Sequence, residues 1–374
     1  MQLNYNNKKN TSDILGYNSD KTLIKHNNTI SKNKLIFGEN IIVLNKLIYD
    51  FELKNKIDLI YIDPPFATNN TFSISNDGRA NTVSSQNKGN IAYLDNLKGE
   101  IFLEFIRERL ILLKELLSPI GSIYLHIDYK IGHYVKIIMD EVFGIENFRN
   151  DITRIKCNPK NFSRKAFGNV KDLILFYSKA SEIIWNEIKT PYNEQDKLKL
   201  FPKKDNNGKR FTTIPLHAPG ETQDGNTSKP FKGNLPPVGR HWRSDVMTLE
   251  KLDEDGLIEW SKTGNTRKII YLDEQEGKKI QDIWDFKDPQ YPIYPTEKNN
   301  NMLDLIIKTS SNENSIILDS FCGSGTTLKA AQLNNRNWIG IDNSELAITK
   351  TIEKINSISS NIFNEINYEF YKLT

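Results

Sequence analysis

A chain of 374 residues and 43.2 kDa can bury a full hydrophobic core, as one large domain with an insertion or as two domains. Its two cysteines, Cys157 and Cys322, have the spacing of neither a disulfide framework nor a zinc cluster, which points to a reducing interior and argues against a structural metal site. With 50 Lys and Arg against 47 Asp and Glu, a net charge of +3 and a pI near 8.5, overall charge makes no case for nucleic acid, so any polyanion site must arise from local clustering.

The start, Met1 to Lys21, is polar and Asn-rich, and no stretch approaches the ~20 apolar residues of a membrane span, so a soluble cytoplasmic protein is expected. The first regular elements are a short apolar run, Leu35-Ile36-Phe37, a helical pattern from Ile42 to Tyr49, and a buried strand from Ile57 to Ile62 that stops at Asp63-Pro64-Pro65. Residues 67–90 are rich in Asn, Ser, Thr and Gly with little periodicity, and they read as a functional or mobile loop. A helix from Ile101 to Leu117 closed by Ser118-Pro119, a strand from Ser122 to Ile127 and a helix from His133 to Val142 follow. This alternation of strands and helices predicts an α/β sheet.

From Asp151 to Asp288 the character changes to clustered Lys and Arg, frequent Gly and Pro, and short mixed segments, as in an insertion or second domain. Regular α/β character resumes at Asn299 with a helix to Ser310, a strand from Ser315 to Asp319, a Gly-rich turn, a helix from Thr326 to Leu333, a strand from Trp338 to Asp342 and a final helix.

Two segments carry chemistry. Asp319-Ser320-Phe321-Cys322-Gly323-Ser324-Gly325-Thr326 lies between a predicted strand and a predicted helix, where glycines let the backbone turn tightly beside a ligand, and the next strand ends in Asp342, placed to accept hydrogen bonds from a ribose diol. Asp63-Pro64-Pro65-Phe66 stands at the carboxyl end of an apolar strand, the edge at which α/β sheets bind ligands. An exocyclic base amine is a poor nucleophile because its lone pair is delocalised into the ring. Asp63 can accept one amine hydrogen and the Pro64 carbonyl the other, which favours a pyramidal nitrogen, while Phe66 offers a flat face to a base swung out of the duplex.

DPPF together with FCGSGTT resembles the amino-methyltransferases of DNA, and the order of the two motifs is similar to that of the β class, in which the catalytic half precedes the cofactor half. The resemblance covers about Leu35 to Ile355. It implies a Rossmann-like class I methyltransferase sheet, mostly parallel with one antiparallel strand and helices on both faces. It implies S-adenosylmethionine as donor, and adenine N6 more often than cytosine N4 when the tetrapeptide begins with Asp. The expected layout is an N-terminal extension (1–34), a catalytic half (35–150), a target-recognition region (151–288) and a cofactor half (289–374). Asp63, Pro64, Pro65 and Phe66 would handle the base, and Asp319, Phe321, Cys322, Gly323, Ser324, Gly325 and Thr326 would surround the cofactor. Asp342 would take the ribose. Glu39, in Phe37-Gly38-Glu39-Asn40, stands where the family has Gly-Asp near the adenine end. Tyr294-Pro295-Thr296-Glu297-Lys298-Asn299 resembles a Pro-Thr-Gln-Lys-Pro run that holds the methionine carboxylate, with Thr296 and Lys298 keeping its hydroxyl and cation.

Within the middle region Arg240, His241, Trp242 and Arg243 mix guanidinium, imidazole and indole in a way suited to phosphate clamping and base contact, with Lys156, Lys160, Arg164 and Lys165 as further phosphate ligands. His126 and Asp128 read as a strand-end polar pair, more structural than catalytic, and the five histidines show no metal spacing. The expected partner is double-stranded DNA, without membrane or metal, and the resemblance leaves room for a cognate restriction endonuclease and a homodimer. Cytosine N4 methylation, an RNA substrate and a catalytically silent nucleic-acid-binding module remain the rival readings.

Overall fold

The computed structural model describes residues 2–65, 70–74, 80–81, 90–95, 99–159, 165–222, 224–261, 265–290, 297–359 and 367–374, with the backbone alone at 70–74, 80–81, 90–95 and 359. Residues Met1–Ile188 and Gln281–Thr374 form one compact unit and Lys189–Ile280 a second.

The first unit is built on a ten-stranded sheet. In chain order its strands are β1 (Leu23–Lys25), β2 (Lys34–Phe37), β3 (Ile57–Ile62), β4 (Leu117–Ile127), β5 (Phe148–Ile155), β6 (Lys171–Ser178), β7 (Ile283–Asp285), β8 (Ile316–Asp319), β9 (Asn337–Asp342) and β10 (Glu369–Leu373). Across the sheet they run β1-β10-β2-β9-β8-β3-β4-β6-β5-β7. This is the expected mostly parallel class I methyltransferase arrangement. Two strands oppose the rest: β6 inside the sheet, as expected of one strand, and β1 in addition, which pairs antiparallel with β10 at the edge.

The central strands are predominantly apolar because helices cover both faces. Helices Asn40–Tyr49, Gly99–Leu116 and Gly132–Phe143 pack together in one group, and Asn300–Ser310, Thr326–Leu333 and Glu345–Ser359 in another. Leu44, Leu47, Phe102, Leu110, Val135 and Ile138 are buried against Ile60, Ile62, Ile123 and Leu125. No described helix is long and apolar enough to cross a membrane.

Three expectations meet a different structure. Ser118-Pro119 does not close a helix with a loop; β4 starts at Leu117, and its register against β3 shifts between the Ile57 and Leu59 pairings. The irregularity lets Pro119, which has no N–H to give, stay out of the ladder. Within 67–90, strands Asn70–Ile74 and Ala80–Asn81 join Asn90–Asp95 in a three-stranded antiparallel sheet, stabilised by partners too far along the chain for local periodicity to reveal. The middle region divides: residues 148–178 supply β5 and β6 of the large sheet, while the compact second unit spans Lys189–Ile280. That unit holds a four-stranded antiparallel sheet and a hairpin pairing His217–Pro219 with Arg240–Trp242, around a small core of Leu216, Phe231, Trp242 and Leu249.

Candidate active site

Strands β3 and β8 are parallel neighbours, with Leu59 opposite Ile317 and Ile60 opposite Leu318. Asp63 follows the end of β3, and the turn from Phe321 to Gly325 follows the end of β8, so the two chemical segments emerge at one sheet edge. From β3 the chain continues to β4 on one side, and from β8 to β9 on the other. The two ends therefore border a topological switch point, where open α/β sheets bind ligands.

At the β3 end, Pro64 is buried and Asp63 half-buried, while Phe66 lies outside the described residues. Asp63 Oδ2 lies 2.7 Å from Lys298 Nζ. Its other oxygen, Oδ1, is buried without a hydrogen-bond partner, 3.6 Å from Nδ1 of the fully buried His126. Tyr61 Oη is 3.0 Å from the same Nδ1, and His126 Nε2 is 3.3 Å from Asp172 Oδ2. Asp172 Oδ1 accepts a hydrogen bond from Lys156 at 2.5 Å, and Arg154, buried beside it, pairs with Asp288. Burial alone would raise Asp172, but the hydrogen bonds from His126 and Lys156 outweigh it and hold this carboxyl well below the usual range.

At the β8 end, Gly323 and Gly325 take left-handed backbone conformations, with φ of 53° and 74°. A Cβ on Gly325 would stand 2.8 Å from Thr351 Cγ2, so this turn needs glycine for space as well as for conformation. The turn is braced from two directions. Asp319 Oδ1 accepts the Phe321 N–H at 3.0 Å, and Asp342 Oδ2 accepts the Gly323 N–H at 2.8 Å. Asp342 Oδ1 accepts the Ser344 N–H at 2.9 Å. Each Asp342 oxygen still has acceptor capacity, so the residue can meet a ribose diol while organising the turn. Burial pushes Asp319 up to about 7 and Asp342 up to about 6. Cys322 is buried and its thiol is pushed well up by burial, so it serves as packing.

Glu39 is placed by residues the sequence did not flag. Arg109 donates from Nη2 to Glu39 Oε1 and from Nε to Asn40 Oδ1, both at 2.6 Å, and Asn343 donates to Glu39 Oε2 at 3.2 Å. Asn40 in turn donates to the Ser320 carbonyl at 2.9 Å, tying the β2 end to the Gly-rich turn. The Arg109 guanidinium lies 3.5 Å from the Phe105 ring centroid, and Phe105 is 6.1 Å from the half-buried Phe321. An arginine inside the apolar run of a helix was the available signal. Lys354 is a second omission: its ammonium donates to Glu297 at 2.6 Å and to the Ser324 and Thr326 hydroxyls at 2.9 Å each. Thr351 and Lys354, one turn apart on a helix, mark the face that meets the turn.

Several expected residues occupy other places. Lys298, expected at a methionine carboxylate, is buried 2.7 Å from Asp63 Oδ2. Thr296, Lys160 and Arg164 lie outside the described residues, and Lys165 is exposed. Lys156, expected at a phosphate, is half-buried and pairs with Asp172 at 2.5 Å. In the second unit Trp242 is 1% exposed, packs against Phe231 and donates its indole N–H to the Lys229 carbonyl, because that small unit needs a large side chain at its centre. Arg240 and Arg243 are exposed and His241 half-buried. Arg240 lies beside His217, and Arg243 donates Nε to the Pro215 carbonyl at 3.0 Å. Among the described residues no group of three or more His, Cys, Asp or Glu could hold a metal.

The DNA methylase family model of the N6 and N4 type matches residues 57–354. The chain is 41% identical over 364 residues to the type II methyltransferase M.EcaI of Enterobacter cloacae, which covers 94% of this chain and 76% of that protein. It is 27% identical to the type III restriction-modification enzyme StyLTI Mod subunit of Salmonella typhimurium strain LT2, over 83% of this chain, and spans about half, 52%, of that relative's length. The crystal structure of the M1.HpyAVI–SAM complex aligns with a TM-score of 0.44 at 16% identity over 86% of this chain and 99% of that one. The chain belongs to the DNA methylase family and is an S-adenosylmethionine-dependent amino-DNA methyltransferase.

Proposed function

We propose that the protein methylates the N6 amine of adenine in duplex DNA, at a defined sequence, as the modification activity of a restriction-modification system. The observation that carries this reading is the Asp63 carboxylate: Oδ2 is committed to Lys298, while Oδ1 is buried with no donor, an acceptor held ready at the switch point.

Bound S-adenosylmethionine supplies an electrophilic methyl on a cationic sulfur. The residues around the Gly-rich turn fit such a ligand: two left-handed glycines that allow close approach, and the Asp342 and Glu39 carboxylates for nucleoside hydroxyls and amines. Asp63 Oδ1 accepts one hydrogen of the target amine, and the Pro64 carbonyl accepts the other. Both bonds draw the nitrogen out of conjugation and aim its lone pair. Transfer would break the methyl bond to the cationic sulfur, leaving a neutral thioether, as the N–C bond forms, and the proton that nitrogen gives up could be taken by Asp63 Oδ1. Lys298 fixes the carboxylate against rotation. The base must leave the stack to reach this edge. The exposed guanidiniums of Arg240 and Arg243 suit DNA phosphates. The Mod-subunit name of one relative and the type II name of another support the restriction-modification setting.

The test is nuclease digestion and mass analysis of DNA methylated by the wild-type chain and by Asp63→Ala. N6-methyladenine from the wild type, reduced by at least about a hundredfold in the variant with cofactor affinity retained, is the expected result. N4-methylcytosine would overturn the choice of base, and no methylated base at all would overturn the catalytic reading.

A further inference from the structure

We propose that His126 is a positioning residue whose tautomer, fixed by Asp172, keeps Asp63 Oδ1 open as an acceptor. The inference rests on the reading of Asp63 given above and adds the device that holds it ready.

For a neutral imidazole the geometry favours one assignment of protons. Asp172 is buried, and it is kept ionised by Lys156 at 2.5 Å from Oδ1 and by the imidazole at 3.3 Å from Oδ2. An ionised carboxylate only accepts, so Nε2 of His126 must carry the hydrogen that it shares with Asp172. A neutral imidazole carries one such hydrogen, so Nδ1 is then a bare lone pair. Neutrality is favoured because burial pulls His126 below its ordinary range. Tyr61 Oη, 3.0 Å from Nδ1, has its phenol kept protonated by burial and can donate to that lone pair. Asp63 Oδ1 lies 3.6 Å from the same Nδ1. Two acceptors thus face each other, which explains why this buried oxygen has no hydrogen bond.

The opposite tautomer would place an N–H on Nδ1, 3.6 Å from Asp63 Oδ1, and that N–H would occupy the acceptor meant for the amine. The imidazolium would do the same with a full charge. The Asp172–His126 pair therefore sets the availability of Asp63 without touching the base. It does so from strand β6 through β4 to the end of β3, three neighbouring strands. Among the described residues, the charged and titratable groups around the ring include Asp63, Tyr61, Asp172 and Lys298, with Lys156 and Arg154 acting on it through Asp172.

The experiment uses the full-length protein labelled with 15N-histidine and free of cofactor at pH 7.5. His126 is the one fully buried histidine of the five, so its ring signals are recognised by slow solvent exchange. The expected spectrum has a protonated Nε2 and an unprotonated Nδ1; a protonated Nδ1, in either the neutral or the charged ring, overturns the proposal. This readout is independent of methyl transfer and stands even if Asp63 proves to have another role. The second arm is Asp172→Asn, whose amide can donate to Nε2 and so turn the tautomer over. The expected result is a signal that moves to Nδ1–H, a kcat lower by on the order of 10²–10⁴-fold, as for a wrongly set imidazole tautomer in a hydrolytic triad, and an S-adenosylmethionine Kd within about twofold of wild type. An unchanged kcat, or a reduced kcat with the tautomer unmoved, overturns it.

Discussion

The Lys298 ammonium lies 2.7 Å from Asp63 Oδ2, and both side chains are largely withdrawn from solvent, with 8% and 14% of their surface exposed. A cation from the segment before the second half of the sheet therefore neutralises the acid at the end of the first. The pair joins the two halves that the motifs occupy.

Lys298→Met is expected to cost about 3 kcal/mol of stability, because it strands a mostly buried carboxylate without its counter-charge. The loss is read as a lower urea midpoint with an unchanged slope. Methyl transfer should fall as well, since the Asp63 carboxylate loses the contact that fixes its orientation towards the amine. A midpoint within error of wild type would mean that the pair contributes nothing.

The left-handed turn makes a second prediction. Gly325→Ala introduces a Cβ 2.8 Å from Thr351 Cγ2 and 2.9 Å from its Oγ1 at a φ of 74°. Strain and overlap together should cost about 2–3 kcal/mol and weaken cofactor binding. Adding Thr351→Ala removes the Cγ2 and Oγ1 overlaps, leaving a Cβ contact of 3.1 Å, but not the strain, and it also removes the 2.9 Å hydrogen bond to the Gly323 carbonyl. The double variant should therefore recover part of the loss, seen as a favourable coupling in a double-mutant cycle. Strict additivity would show that the contact is not what limits the site.

Asp319 gives the stability a pH dependence of defined sign. Burial first, and the nearby Asp63 and Asp342 charges after it, raise this carboxyl from 3.8 to about 7. The folded protein then binds the proton more tightly than the unfolded chain, so the contribution of Asp319 to stability is full below about pH 4 and is lost as pH rises towards 7. The whole effect is at most about 4 kcal/mol. Asp319→Asn, which keeps an oxygen for the Phe321 N–H, should gain Tm relative to wild type at pH 8 and lose that advantage near pH 4.5. Parallel Tm curves across this interval would sink the assignment.

The second unit separates surface from core within four residues. Arg240→Ala and Arg243→Ala should weaken binding to all duplex sequences alike and lower the salt dependence by about one ion each. Trp242→Ala should instead lower the stability of the unit by about 3–5 kcal/mol through a cavity at its centre. Sequence-selective loss of binding in a fully folded Trp242→Ala protein would restore the indole as a base contact.

Local patterns in the chain were sufficient for much of this molecule. The mostly apolar runs 57–62 and 315–319 and the helical periods around them locate the strands, because burial on both faces favours apolar residues on both sides of the pleat. Asp63-Pro64-Pro65 and Phe321 to Gly325 declare themselves because tight turns at strand ends restrict which residues fit. What required the tertiary structure was the partner of each polar group. Nothing near Lys298 in the chain says that it faces Asp63, nothing near Trp242 says that its indole is inside, and nothing near Arg109 says that it holds Glu39. The three-stranded sheet over residues 70–95 and the start of the second unit at Lys189 are of the same kind. Periodicity records whether a residue is buried, a property of its own segment. Which distant side chain meets it is set by strand order and register, and these are decided only when the whole sheet assembles.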